Sequence, residues 1–106
     1  QMKKCIVMNI ADNVATTLQG AERGDTFSVL DYSMHEIGRI ESNEVIPFAH
    51  KIALKNITKG DYVIKYGEII GIATETIKVG SYVHIHNLAS LRGKIKAHIN
   101  PGKANT

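Results

Sequence analysis

The chain is poor in the residues that usually staple or anchor a small protein: one cysteine, two prolines, two phenylalanines and no tryptophan in 106 residues. A lone cysteine, Cys5, excludes an internal disulfide and fits a reducing compartment, so a cytoplasmic location is expected. No apolar run approaches the roughly 20 residues that a membrane-crossing helix needs, so no membrane association is expected. Two lysines precede apolar residues in Met2-Lys3-Lys4-Cys5-Ile6-Val7-Met8, in the manner of a signal peptide. The apolar stretch stops at Asn9, however, and Asp12 follows, which fits a strand better. Also missing are a Gly-x-Gly-x-x-Gly fingerprint, a phosphate-binding P-loop, a zinc-type cysteine pair and a Gly-x-Ser-x-Gly elbow. Helical periodicity is nearly absent as well.

What remains is alternation. With 43% hydrophobic and 22% charged residues, the chain has the make-up of one ordinary globular domain with a small core. Residues 4–8, 13–18, 26–30, 48–54, 62–65, 68–74 and 82–85 read as short strands rich in Val, Ile, Thr, Tyr and Phe, most of them bounded by Gly, Asp or Asn. A mostly β domain with short helical turns before Gly24, Gly60 and Gly80 is expected. Those turns echo one another. Ala21-Glu22-Arg23-Gly24-Asp25, Ile57-Thr58-Lys59-Gly60-Asp61 and Ile77-Lys78-Val79-Gly80-Ser81 each place a glycine and then a polar residue before a strand. The need for positive φ at the glycine explains the echo without any chemistry.

Residues 31–44 carry Asp31, His35, Glu36, Arg39, Glu41 and Glu44 with few apolar partners, and predict a loop or exposed hairpin turning near Gly38. Residues 88–106 lose the alternation and predict partial disorder, or order imposed by a partner. Arg92, Lys94, Lys96 and Lys103 crowd that end and contribute to a net charge of +3. Four cations without an aromatic platform argue against nucleic acid.

The residues able to do chemistry are few. A strand over 48–54 puts His50 on one face with Phe48, Ile52 and Leu54, leaving Lys51 on the other. Two accounts fit His50: a core histidine bonded to a backbone carbonyl, or a base or metal ligand at a pocket mouth. A strand over 82–85 puts Tyr82, His84 and His86 on one face and projects the two histidines side by side, a spacing able to grip one metal ion. The rival account is a solvated polar face. Lys51 and Lys65 either solvate a face or hold a carboxylate. Glu68 fits an exposed hairpin position better than a base, and Cys5, in a core strand, is unsuited to be a nucleophile.

Four ordered motifs carry a resemblance: Ala11-Asp12-Asn13-Val14-Ala15, Ala49-His50-Lys51-Ile52-Ala53-Leu54, Val63-Ile64-Lys65-Tyr66-Gly67-Glu68-Ile69-Ile70-Gly71 and Val83-His84-Ile85-His86-Asn87. Together they resemble the N-terminal SAF-like domain of the altronate and galactarate dehydratase family, which also occurs as a separate small subunit in sulfolactate sulfo-lyase. The resemblance implies a β-clip domain over residues 1–92, followed by a basic tail over 93–106. It implies a hydro-lyase component acting on a hydroxy-carboxylate, inactive alone and completed by a large catalytic subunit. Divalent metal, Fe2+ above all, is the implied cofactor, and self-association is favoured by short exposed strands. By resemblance His50, His84 and His86 are catalytic candidates, and Lys51, Lys65, Tyr66, Asn87 and Arg92 substrate-binding candidates. His84 and His86 are the metal-ligand candidates. Ala49 departs from the family's glycine, a change expected to reshape a pocket wall. The alternative is a non-catalytic module that binds a carbohydrate or anion, or a scaffold for a catalytic chain.

Overall fold

A computed structural model describes residues 2–91. The expected mostly β architecture is present: nine strands form two sheets, and no helix occurs among the described residues. The strands are β1 (Met2–Ile6), β2 (Val14–Thr17), β3 (Thr26–Leu30), β4 (Glu36–Glu41), β5 (Lys51–Ala53), β6 (Tyr62–Lys65), β7 (Glu68–Ala73), β8 (Tyr82–Val83) and β9 (Leu88–Ser90). The larger sheet has the order β4-β3-β1-β2-β5-β8, and the smaller one β6-β7-β9. Only β1 and β3 run parallel, and their connection passes through β2.

Period-two alternation decides what each strand buries. In β2, Ala15 enters one core with Cys5, Val7, Ala21, Phe27, Val29, Ile46 and Ile52. Its neighbour Val14 enters a second core with Ala53, Ile57, Val63, Ala73, Ile77 and Val83. Strand β5 splits the same way, Ile52 to the first core and Ala53 to the second. These two short strands therefore divide the molecule, and the second core is where the small sheet meets the large one. Burial pushes the Cys5 thiol up to about 12, as its place in the first core dictates.

The glycine-bearing turns are β-turns rather than helical ones. Asp25, Asp61 and Ser81 each donate a backbone N–H three residues back, to Glu22, Thr58 and Lys78. Gly24, Gly60 and Gly80 have φ of 92°, 92° and 89°, which only glycine adopts freely. A fourth copy escaped the sequence reading because alanine fills the glycine place. Ile46-Pro47-Phe48-Ala49-His50 closes with the His50 N–H donating to Pro47 O, and Ala49 sits at φ 67°. This turn delays the start of the expected strand 48–54: Phe48 is exposed, and only Lys51–Ala53 is paired.

Three other expectations shift. Residues 31–44 do form an exposed hairpin, but the reversal lies at Asp31–His35, with Met34 at φ 68°. Gly38 stands inside β4, opposite Val29, where the register slips. Leu88–Ser90 is strand, paired with β7. The strand expected over 82–85 stops at Val83, and His84–Asn87 is a turn closed by the Asn87 N–H on His84 O. The rest of the expected tail, 92–106, lies outside the described residues.

Candidate functional site: a lysine-lined pocket beside a histidine cluster

Lys51 and Lys65 are non-local in sequence, yet the two-core arrangement brings them together. Lys51 lies two residues before Ala53, and Lys65 two after Val63, so each extends a strand face whose inner residue is in the second core. Both line one cavity of about 440 Å³, together with Glu68, His84 and Ser90. Ile69, Ile70, Ile85 and Leu88 supply its apolar wall. Burial and the nearby Lys65 cation both hold the Lys51 ammonium below its ordinary range. The two lysines outnumber the single Glu68 carboxylate at the cavity, a balance that favours an anion.

The hairpin that carries Lys65 is held by residues far earlier in the chain. Tyr66 and Gly67 turn it with φ of 56° and 74°, the pair of positive values that a tight type I′ reversal needs. The buried Asp12 carboxylate accepts the Tyr66 N–H at 3.0 Å and the Gly67 N–H at 2.7 Å. Asn13 extends the grip: its side chain accepts from Ile64 N–H at 2.8 Å and donates to Tyr62 O at 2.9 Å. Lys65 Nζ in turn lies 5.1 Å from the centre of the exposed Tyr66 ring.

Beside the pocket, four rings form a cluster. His50 and His84 meet edge to face with centroids 5.1 Å apart, although 34 positions separate them in sequence. Tyr82 stacks on His84 at 5.5 Å and approaches His50 at 5.6 Å and His86 at 5.4 Å. The main chain at His50 is fixed by the buried Thr17 hydroxyl, which accepts the His50 N–H at 3.2 Å and reaches Pro47 O at 2.8 Å. His50 Nδ1 lies 2.9 Å from Phe48 O. His84 is held below the ordinary imidazole range by its partial burial first, then by the charges of Lys51, His50 and His86.

The candidate residues therefore divide. Lys51, Lys65 and His84 share the pocket, with His50 against His84. The His86 ring touches that of Tyr82, and its side-by-side strand geometry with His84 is lost to the turn. Asn87 is buried and committed to the backbone, accepting from His84 N–H at 3.0 Å and donating to Tyr82 O at 2.9 Å. It shapes the turn that presents His84. Tyr66 is exposed beside Lys65, and Arg92 lies outside the described residues. Ala49 is exposed and lines no part of the cavity, so its departure from glycine bears on the backbone rather than on a pocket wall.

Among the described residues no group of three or more His, Cys, Asp or Glu side chains could hold a metal ion. A divalent metal at His84 and His86 would need further ligands from beyond the described residues. Sequence reasoning gives Asp12 and Asn13 no role of their own and passes over Thr17. It puts Tyr82 on the face of His84 and His86 but assigns it nothing. The Asp12 and Thr17 contacts span 54 and 33 positions and leave no local signal.

A small two-sheet β domain with a cationic pocket at the junction of its sheets is the class that fold and site define. The sequence profile of the altronate/galactarate dehydratase SAF domain matches residues 3–91, and the chain belongs to that family. It is 35% identical over 86 residues to altronate dehydratase of Bacillus subtilis, covering 81% of this chain and 16% of that protein. It is 28% identical over 88 residues to (2R)-sulfolactate sulfo-lyase subunit alpha of Chromohalobacter salexigens, covering 81% of this chain and 94% of that one. The same subunit of Paracoccus pantotrophus is 44% identical over 54 residues, covering 51% and 81%. The chain thus spans about a sixth of the dehydratase it matches and nearly all of a sulfo-lyase alpha subunit.

Proposed function

We propose that this chain is the carboxylate-binding component of a lyase that removes water from a hydroxy-carboxylate in company with a larger polypeptide. The observation that carries the reading is the convergence of Lys51 and Lys65, from different sheets, on a cavity that also holds His84. An ammonium pair suits the substrate carboxylate, and the apolar wall raises the strength of that attraction by excluding water. Elimination next to a carboxylate removes a carbon-bound proton and expels a hydroxyl, which leaves as water after gaining a proton. His84, kept neutral to lower pH than a free imidazole, is suited to take the first proton. His50, in ring contact with it, and His86 are the candidates for the second. Ferrous iron enters this reading as a cofactor held mainly by the larger polypeptide, and none of these steps runs through it. Relatives that are a fused dehydratase and a named alpha subunit support a larger partner.

The exposed side chains of Ile10, Tyr32, Phe48 and Ile85 give the scaffold reading its own support. One experiment separates the two. The chain is co-purified with candidate large subunits and assayed with ferrous iron on altronate, galactarate and sulfolactate. Alanine replacement of His50, His84 or His86 should lower turnover by about a hundredfold, the usual scale of one acid or base group. Full activity in the triple replacement would take the histidines out of the chemistry, and full activity in Lys51→Met and Lys65→Met as well would leave only the scaffold.

A further inference from the structure

The Asp12-Asn13 pair belongs to the motif segments, yet nothing in the pocket chemistry uses it. We propose that Asp12 is a positioning residue: its carboxylate locks the Tyr66–Gly67 turn so that Lys65 is held opposite Lys51 in the anion pocket. This inference rests on the carboxylate-binding reading of that pocket. The geometry is specific. Asp12 is buried, and its two oxygens accept three backbone N–H groups, from Asn9 at 3.2 Å, Tyr66 at 3.0 Å and Gly67 at 2.7 Å. Two of those three donors belong to the turn immediately after Lys65. A carboxylate serving two adjacent N–H groups fixes both the place and the tilt of the reversal, and charge-assisted bonds are the stronger kind. Asn13, next in sequence, anchors Ile64 and Tyr62 on the same strand, so the pair together splices the small sheet onto the large one.

There is a reason such a lock is needed. Lys51 and Lys65 repel each other, and a hairpin that nothing held would yield to that repulsion. A lysine free to leave binds an anion less tightly, because ordering it then costs entropy at the moment of binding. Asp12 holds the pair together before the ligand arrives.

The test compares the full chain with Asp12→Asn, a nearly isosteric change that loses the charge and replaces one acceptor oxygen by an NH2 group. Amide hydrogen exchange, the titration of the Lys51 ammonium and galactarate binding are read by NMR. Exchange at Tyr66 and Gly67 should quicken by at least tenfold. The Lys51 titration should move up toward the ordinary lysine range as Lys65 departs, and galactarate affinity should fall by at least fivefold. Arg39→Ala, on the far hairpin, should change none of the three. Fast exchange with unchanged affinity and unchanged Lys51 titration would overturn the proposal and reduce Asp12 to a structural clamp. The carboxylate-binding reading is judged separately by Lys65→Met. If that variant binds galactarate as the parent does, the pocket reading fails and this inference falls with it, whatever the exchange shows.

Discussion

Two hairpins of similar length have opposite fates in this molecule. The β3–β4 hairpin ends in a free turn, its outer strand almost wholly exposed and its surface marked by the Glu36–Arg39 ion pair at 3.1 Å. The β6–β7 hairpin is gripped by Asp12 and Asn13 at one end and covered by β9 along its side. The second strand of each hairpin contains a glycine, Gly38 in the edge strand β4 and Gly71 in the central strand β7. A methyl group at Gly38 would meet open space, whereas at Gly71 it would collide with the Ala89 carbonyl and the Leu88 side chain. The same residue is therefore incidental in one hairpin and required in the other. Strand pairing alone does not make a hairpin part of a site. Being pinned from a distant part of the chain does.

That contrast is sharpest in a pair of substitutions. Gly71→Ala should destabilise the domain by about 1–3 kcal/mol, the usual cost of overpacking a filled interior. A melting-temperature drop of several degrees or more is then expected for a domain this size. Gly38→Ala should be neutral or gain up to about 1 kcal/mol, since alanine costs less backbone entropy in a strand. Thermal unfolding of both variants checks the pair. Equal effects would mean that β9 does not press on β7 as described.

A smaller effect tests the electrostatics of the pinned side. The Lys51 cation is the second cause, after burial, of the lowered His84 titration. Removing it in Lys51→Met leaves protonated His84 less disfavoured, so its titration should move up toward the ordinary imidazole value of 6.5. The sign for stability follows. A histidine whose folded pKa is lowered binds fewer protons than in the unfolded chain, so the parent protein loses stability as pH falls through the ordinary histidine range. Lys51→Met should lose less over the same window. NMR titration of the His84 ring, with unfolding at pH 7.5 and pH 5.5, measures both. An unmoved His84 would place Lys51 elsewhere than beside it.

Alternation made the inner strands legible. Strands β2, β3, β6 and β7 lie within a residue or two of their expected places: β2, β3 and β7 each bury a full face, and β6 buries Val63 between half-buried neighbours, so period two shows in each. Strand β4 was read only as a loop or hairpin arm because, at the edge of the larger sheet, its residues are nearly all exposed and Glu36, Arg39 and Glu41 cost nothing there. Strand β9 escaped for a similar reason, with Ala89 and Ser90 exposed. The lysines and histidines of the site stand out in the sequence as residue types able to do chemistry, and alternation puts Tyr82 on the face of His84 without giving it a role. Their grouping was not readable. Lys51 meets Lys65, and His50 meets His84, only through sheet packing that pairs β2 with β5 and β5 with β8. The His84–His86 pair failed as a strand motif because the Asn87 side chain bonds to the local backbone and closes a turn there.

The smallest effect concerns the one repeated turn that lacks its glycine. Gly24, Gly60 and Gly80 adopt positive φ without cost, while Ala49 does so at 67° in the turn leading to His50. A left-handed alanine costs about 1–2 kcal/mol, and a glycine there would lose about 0.5–1 kcal/mol more backbone entropy on folding. The difference favours glycine slightly, so Ala49→Gly should stabilise the domain by up to about 1 kcal/mol. The turn's hydrogen bonds do not involve the methyl group: Ala49 N–H donates to Thr17 O at 2.9 Å, and His50 N–H to Pro47 O at 3.3 Å. His50 should therefore stay in place, and galactarate affinity should match the parent's. A melting temperature that falls, together with weaker binding, would show that the methyl group holds the turn rigid and that the alanine steadies His50 at the expense of backbone strain.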